Sequence, residues 1–264
     1  MKIGIIGMGN MATAIMNGML QKEIVKKEEI IGSAATEKTI SRIAEQYGIE
    51  TTLDNRKVAE AAQVLILAVK PQFLADVIEQ IKDCISEETL LITIAAGKKI
   101  SWYEEAFGKK IKLVRCMPNT PAMVGEGCTA VCINENVTEE EKACALRLMG
   151  SFGQTCVIRE GLMDAFSAIA GSSPAYVFLF IEAMADAGVA AGMPRAQAYE
   201  AVAQSVLGSA KLMLETGKHP GELKDMVCSP GGTTIQGVKA LEEKGMRGAV
   251  MEAIAACVEK AKQL

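Results

Sequence analysis

The stretch KIGIIGMGNMATAIMNGMLQ, residues 2–21, decides how the rest of the chain is read. It begins as a short β-branched run and continues with apolar residues spaced for a helix. Between the two lies Gly7-Met8-Gly9-Asn10-Met11-Ala12, which fits G-x-G-x-x-A. Gly7 permits a tight turn, Gly9 removes a side chain where a pyrophosphate must approach, and Ala12 lets the helix lie close to the strand. Free amides and the positive end of the helix dipole then face the phosphates. One such match is a weak signal, and the sequence that follows gives it weight.

Downstream, EEIIGSA, AQVLILAV, TLLITIA and IKLVRCM join KIGII as strand candidates. NMATAIMNGMLQ, KTISRIAEQYG and FLADVIEQIKDCI are the helical segments among them, and GCTAVCI and TCVIR are further strands. Apolar strands separated by helices predict a parallel sheet covered on both faces. Capping boxes are expected at Ser101 with Glu104 and at Thr138 with Glu141. From Gly161 the alternation stops and Ala- and Met-rich helical sequence takes over. The fold class expected is therefore α/β: a doubly wound Rossmann-type domain over residues 1–160, then an all-α domain over residues 161–264. In the latter, PAYVFLFIEAMADAGVAAG is apolar on nearly every side, so it must be buried all round. A segment of this size cannot easily surround such a helix alone, which predicts a homodimer packed through it.

Composition narrows the chemistry. Lys plus Arg number 28 against 32 for Asp plus Glu, a net charge of −4, which gives no reason to expect a nucleic-acid partner or an anionic membrane. The one histidine, His219, lies in the turn-like GKHPGE and reads as a surface imidazole, so a multi-histidine metal centre is excluded. Eight cysteines without any CxxC pair read as reduced thiols, and no metal is expected. The chain opens with a strand rather than a signal peptide, and the apolar run Ala175–Ile181 is shorter than the roughly 20 residues of a membrane span. The expectation is a soluble, cytoplasmic protein without a membrane partner.

The strand EEIIGSA ends without the acid that grips the ribose in NAD sites; Ser33 and Thr36 stand there, followed by Lys38 and Arg42. Hydroxyls and cations suit a 2′-phosphate, so NADP(H) is favoured, with NAD(H) the alternative. At AVKPQ, Ala68 to Gln72, a strand gives way to Pro71 at the start of the next helical turn. Lys70 there lies at the carboxyl end of a strand, where such sheets bind ligands.

GIIGMGNMA, AVKP, TIAAG, RCMPNTPA, GSSPAY and CSPGGTTIQG occur in the order found in pyrroline-5-carboxylate reductases, and the chain resembles that family from residue 1 to about residue 260. MPNTP and PGGTT are the specific parts; GSSPAY departs from the family's GSGPAY at Ser173. The resemblance implies NAD(P)H-dependent reduction of the cyclic imine 1-pyrroline-5-carboxylate to L-proline. It also implies an active site shared between subunits and assembly of dimers into a ring-like decamer. The cofactor set it implies is Gly7, Met8, Gly9, Asn10, Met11, Ser33, Thr36, Asn55, Ala68, Val69, Lys70, Pro71, Ala95, Ala96, Gly97 and Asn119, with Thr120 beside Asn119. By the same resemblance Thr234 and Ser229 are catalytic, Thr234 bonding the imine nitrogen, while Gly231, Gly232 and Thr233 help bind the carboxylate. Cys228–Gly237 itself places a glycine turn before a helix, which leaves amides free for an anion. Threonines that merely cap a helix are the bland alternative. A β-hydroxyacid dehydrogenase is a rival with the same plan, but its helix lysine is missing from PAYVFLFIEAMADAG. A non-catalytic NADP-binding regulator is the rival from another class.

Overall fold

The structure is a computed structural model that describes residues 1–262. Met1–Gly171, with the chain from Val258 onward, form one compact unit, and Ser172–Cys257 form a second.

The first unit is built on an eight-stranded sheet. Its strands are β1 (Ile3–Ile6), β2 (Ile30–Ser33), β3 (Glu50–Thr52), β4 (Val64–Leu67), β5 (Leu90–Thr93), β6 (Lys112–Met117), β7 (Gly127–Ile133) and β8 (Gly153–Val157). They lie in the order β3-β2-β1-β4-β5-β6-β7-β8, parallel throughout except between β6 and β7. The helices are α1 (Asn10–Gln21), α2 (Glu37–Tyr47), α3 (Asn55–Ala61), α4 (Leu74–Ile81), α5 (Ile100–Phe107), α6 (Glu139–Met149) and the short α7 (Met163–Phe166). The central strands are apolar on both faces because both are covered. Ile3 and Ile5 join Met16, Ile43 and Leu148 on one side, while Ile6, Leu65 and Leu67 join Val58, Ile78 and Tyr103 on the other. Each isoleucine so buried contributes roughly 1.5–3 kcal/mol. The order reverses at β1, whose neighbours are β2 and β4, so a crevice opens at the carboxyl ends of those strands.

Two local expectations are corrected. β3 has no counterpart among the strand candidates, because Glu-Thr-Thr at a sheet edge lacks the apolar run that marks the other strands. The capping box at Ser101 and Glu104 does not form, whereas that at Thr138 and Glu141 does. α5 starts at Ile100, and the Ile100 amide donates to Glu160 Oε1 at 2.7 Å, a distant acid taking the capping role. Glu104 instead accepts from Asn134 Nδ2 at 2.9 Å.

The compact-unit boundary falls at Gly171 and Ser172 rather than at residue 160, where strand-like sequence ends. Helical residues just past 160 still serve the sheet: Met163 packs with Ala130 and Cys132 of β7. Between α7 and the next helix, Ser167–Ser172 form a π-helical segment.

The second unit is helical: α8 (Ser173–Ala190), α9 (Arg195–Thr216), α10 (Pro220–Val227), α11 (Thr233–Glu243) and α12 (Met246–Ala261), whose last residues belong to the first unit. α8 packs against α9. Complete burial of α8 does not occur within one chain. Only Ala185 of α8 is buried, and Phe178 and Leu179 are 65% and 66% exposed. Helix continues unbroken from Glu160 to Ala190, 31 residues, long and apolar enough by length and composition to cross a membrane. The seven-residue run Ala175–Ile181 therefore understates the apolar length of this element. Ser173 begins α8 without a left-handed backbone, so no glycine is needed there. His219 caps α10, its Nδ1 accepting from the Gly221 amide at 3.1 Å, and all eight cysteines are free.

Candidate functional site

The end of β1 turns sharply into α1. Gly7 has φ +98°, and a Cβ there would come within 2.8 Å of Val69 Cγ1 and 2.9 Å of the Ala68 carbonyl carbon. Both conformation and space therefore demand glycine, and β4's end is pressed against the loop. The Gly7 and Met8 amides donate to the Ser33 carbonyl at 2.9 and 3.0 Å, and the Gly9 amide donates to the Gly7 carbonyl at 2.8 Å. These three donors are consumed in shaping the turn. Met8 is buried, with its sulfur beneath Gly32, so it packs the loop from inside.

Beyond Gly9 the geometry opens. Gly9 caps α1, a Cβ there would meet nothing within 4 Å, and no side chain caps the helix. The first helical bond is from Thr13 to Gly9, so the amides of Asn10, Met11 and Ala12 have no partner within the helix. With no acidic residue in the first turn, this helix start has the free donors and the absence of repelling charge that an anion requires.

The crevice beside it is lined by Gly7, Ala34, Ala35, Asn55, Val69 and Gln80, among others. Sequence reading scattered Gly7, Asn55 and Val69 over three segments, and the sheet brings them together. Ser33 is fully buried, and its hydroxyl donates to Asn55 Oδ1 at 2.7 Å, while Asn55 Nδ2 donates to Gln80. Ser33 thus orients Asn55 rather than facing the crevice. Thr36 is the N-cap of α2, accepting from the Thr39 amide. Lys38 and Arg42 form no ion pair among the described residues. Arg42 reaches Gln46 and lines a polar pocket with Asn10, Asn17 and Tyr47. Lys70 is exposed just before Pro71, which opens a short 3-10 turn.

Further along the sheet, Ala95, Ala96 and Gly97 follow β5 and border a small cavity with Arg115 and Met117. Thr93 Oγ1 and Tyr103 Oη lie 2.6 Å apart beneath this loop. Burial pushes the Tyr103 phenol up to about 12, partly offset by that hydrogen bond. Asn119 is 9% exposed and wholly committed: Nδ2 donates to the Ala170 carbonyl at 3.0 Å, and Oδ1 accepts from the Cys128 amide at 2.8 Å. Its side chain joins the start of β7 to the π segment. Arg115 and Glu160, paired at 2.8 Å, stand out near this loop and were absent from the sequence-derived set. No local pattern links residues so far apart.

In the second unit, the turn Cys228–Gly232 leads into α11. Gly231 has φ +69° with open space around it, and the Gly232 amide donates to the Ser229 carbonyl at 3.0 Å. A Cβ at Gly232 would strike Ser229 Oγ at 2.4 Å, so glycine there makes room for that hydroxyl. Gly232 is the N-cap of α11 and no side chain caps the helix, so Thr233 and Thr234 are not caps. Both threonines are exposed, the first turn carries no acid, and its amides are free in the way α1's are. Among the described residues no cluster of His, Cys, Asp or Glu could hold a metal ion.

Comparison with known proteins gives this geometry its relatives. Residues 160–264 match the family model described as pyrroline-5-carboxylate reductase dimerisation, and residues 2–97 match that described as NADP oxidoreductase coenzyme F420-dependent. A relative from Escherichia coli (strain K12) named pyrroline-5-carboxylate reductase is 46% identical over 263 residues, covering 100% of this chain and 98% of its own. A solved pyrroline-5-carboxylate reductase from Coxiella burnetii superposes with a TM-score of 0.94 at 36% identity, covering 99% of this chain and 97% of that one. A Plasmodium falciparum pyrroline carboxylate reductase, solved with NADP bound, gives 0.89 at 35% identity with the same coverages.

Proposed function

The chain belongs to the pyrroline-5-carboxylate reductase family, and from that premise we propose that it reduces 1-pyrroline-5-carboxylate to L-proline with NADP(H). The observation that carries the residue-level reading is the start of α11, a glycine-capped helix with free amides, no acid and two uncommitted threonine hydroxyls.

The dinucleotide fits the first unit on its own evidence: open space at Gly9, free amides at Asn10, Met11 and Ala12, and no repelling acid in that turn. When bound there, the cofactor supplies a hydride to the ring carbon of the protonated C=N bond, leaving a secondary amine. The small residues Ala95, Ala96 and Gly97 leave room for its nicotinamide, and Ala68, Val69, Lys70 and Pro71 border its phosphates. Asn55 faces the adenosine side, with Lys38 and Arg42 as the cations for a 2′-phosphate. Thr36 and Ser33 support this region as cap and orienting group.

In the second unit, Ser229 and the amides of Gly232 and Thr233 hold the substrate carboxylate. Gly231 lets the turn come close to it. The Thr234 hydroxyl orients the imine nitrogen. Since an imine is basic enough to protonate near neutral pH, no strong acid is required of the protein, and the one histidine is engaged in capping α10. The rate then comes chiefly from orientation. The exposed apolar face of α8 is covered by a second copy of the chain, in keeping with the dimerisation match, and dimers assemble further toward a decamer in the cytoplasm.

The test is to mix the protein with NADPH and racemic 1-pyrroline-5-carboxylate and follow loss of nicotinamide absorbance. Imine-dependent oxidation yielding proline is the expected result. Dinucleotide binding without imine-dependent oxidation would instead favour a regulator.

A further inference from the structure

Ala95, Ala96 and Gly97 have almost no side chain with which to hold their own conformation, and Gly97 has φ +84°. The loop they form is fixed from outside at both ends. On the β5 side, the Ala95 amide donates to Thr93 Oγ1 at 3.4 Å, and Thr93 is held by Tyr103 of α5. On the α5 side, the first helical amide, Ile100, has no local cap and donates to Glu160 Oε1 at 2.7 Å. The same oxygen accepts from Arg115 at 2.8 Å. Arg115 is only 4% exposed, and it borders the small cavity that Ala95, Ala96 and Gly97 line.

A buried arginine shared with a helix amide through one carboxylate oxygen is an exacting arrangement, because that one oxygen must reach both donors at once. We infer that Glu160, locked by Arg115, is a positioning residue that sets the Ala95–Gly97 loop against the cofactor and so tunes hydride transfer. It touches neither cofactor nor substrate in this account and acts only through the loop. The inference rests on the placement of the nicotinamide beside that loop proposed above.

The experiment compares Glu160→Gln, Glu160→Asp and Glu160→Ala, with imine-dependent NADPH oxidation, dinucleotide Kd and Tm measured for each. Gln keeps the reach to both donors, and Asp keeps the charge but falls short. Reduction of kcat/KM is expected in the order Ala greatest, then Asp, then Gln, with Ala lower by on the order of ten- to a hundredfold. The loss should appear mainly in kcat at saturating NADPH, including in protein shown to be folded. If Ala does not fold, the order of Asp and Gln still decides. Asp outperforming Gln, or kcat/KM unchanged while only Tm falls, would overturn the inference. Failure of the wild-type protein to oxidise NADPH with the imine would instead sink the underlying reading of function.

Discussion

Both α1 in the sheet unit and α11 in the helical unit begin at a glycine with their first amides free, and their surroundings differ. At α1 the turn is gripped: Gly7 is walled in by Val69 and Ala68, three loop amides are consumed, and Ala12, Ile15 and Met16 are buried just behind. At α11 the turn stands open: a Cβ at Gly231 would meet nothing within 4 Å, and no residue of the helix is buried. The first turn is walled in by its own chain, and the second stands open within one chain.

Matched substitutions at the positive-φ glycines of these two turns, Gly7 and Gly231, break or sharpen this contrast most strongly. Gly7→Ala combines backbone strain of roughly 1–2 kcal/mol with overpacking of about 1–3 kcal/mol. It should lower Tm by many degrees and abolish dinucleotide binding by fluorescence titration. Gly231→Ala meets only the backbone strain and should be far milder in Tm. Equal losses would erase the distinction between a gripped and an open turn.

The gripped unit also predicts a response to alkali. The Tyr103 phenol is raised to about 12 in the folded protein from an ordinary value of 10.0, so its neutral form is favoured by folding. Its contribution is fully present below pH 10 and is lost as pH climbs through about 12, roughly 2–3 kcal/mol in all. Chemical denaturation between pH 9 and 12 should show this decline, and Tyr103→Phe should flatten it, although the variant loses its bond to Thr93.

At the open turn, Thr234→Ala should lower kcat/KM for the imine by a factor of about 5 to 150, from loss of a hydrogen bond worth roughly 1–3 kcal/mol. NADPH affinity should stay near wild type in the same preparation. Unchanged turnover would leave the hydroxyl without a role, since it is not a cap either. The smallest effect is expected at the cofactor's far end: Lys38→Ala should cost severalfold in kcat/KM with NADPH and almost nothing with NADH, through one screened surface charge. Equal changes with both nucleotides would remove Lys38 from the 2′-phosphate site.

The two helix starts were legible in the sequence, since α1 runs over the same residues as NMATAIMNGMLQ and α11 begins directly after the glycine turn in CSPGGTTIQG. Both are marked by punctuation, glycines followed by a change of period, which is local information. What stayed hidden depends on distant partners. Ser101 and Glu104 look like a capping box, yet Glu160 takes that cap. Ser33 looks like a 2′-phosphate contact, yet its hydroxyl is buried and donates to Asn55. Asn119 looks like a pocket residue, yet both ends of its amide are used in joining β7 to the π segment. The edge strand β3 escaped because its alternation spans only three residues, whereas α8's exposure within one chain was legible, since its sequence is apolar on nearly every side and its own unit is too small to cover it.

The role proposed for the start of α11 is to bind the substrate carboxylate. The decisive measurement is kcat/KM for 1-pyrroline-5-carboxylate against 1-pyrroline, the same imine without the carboxyl group, under identical NADPH. Charge-assisted bonds to backbone amides are worth roughly 1.5–3 kcal/mol each, so a preference of about tenfold to well over a hundredfold for the carboxylated ring is predicted. Equal values for the two imines would contradict it.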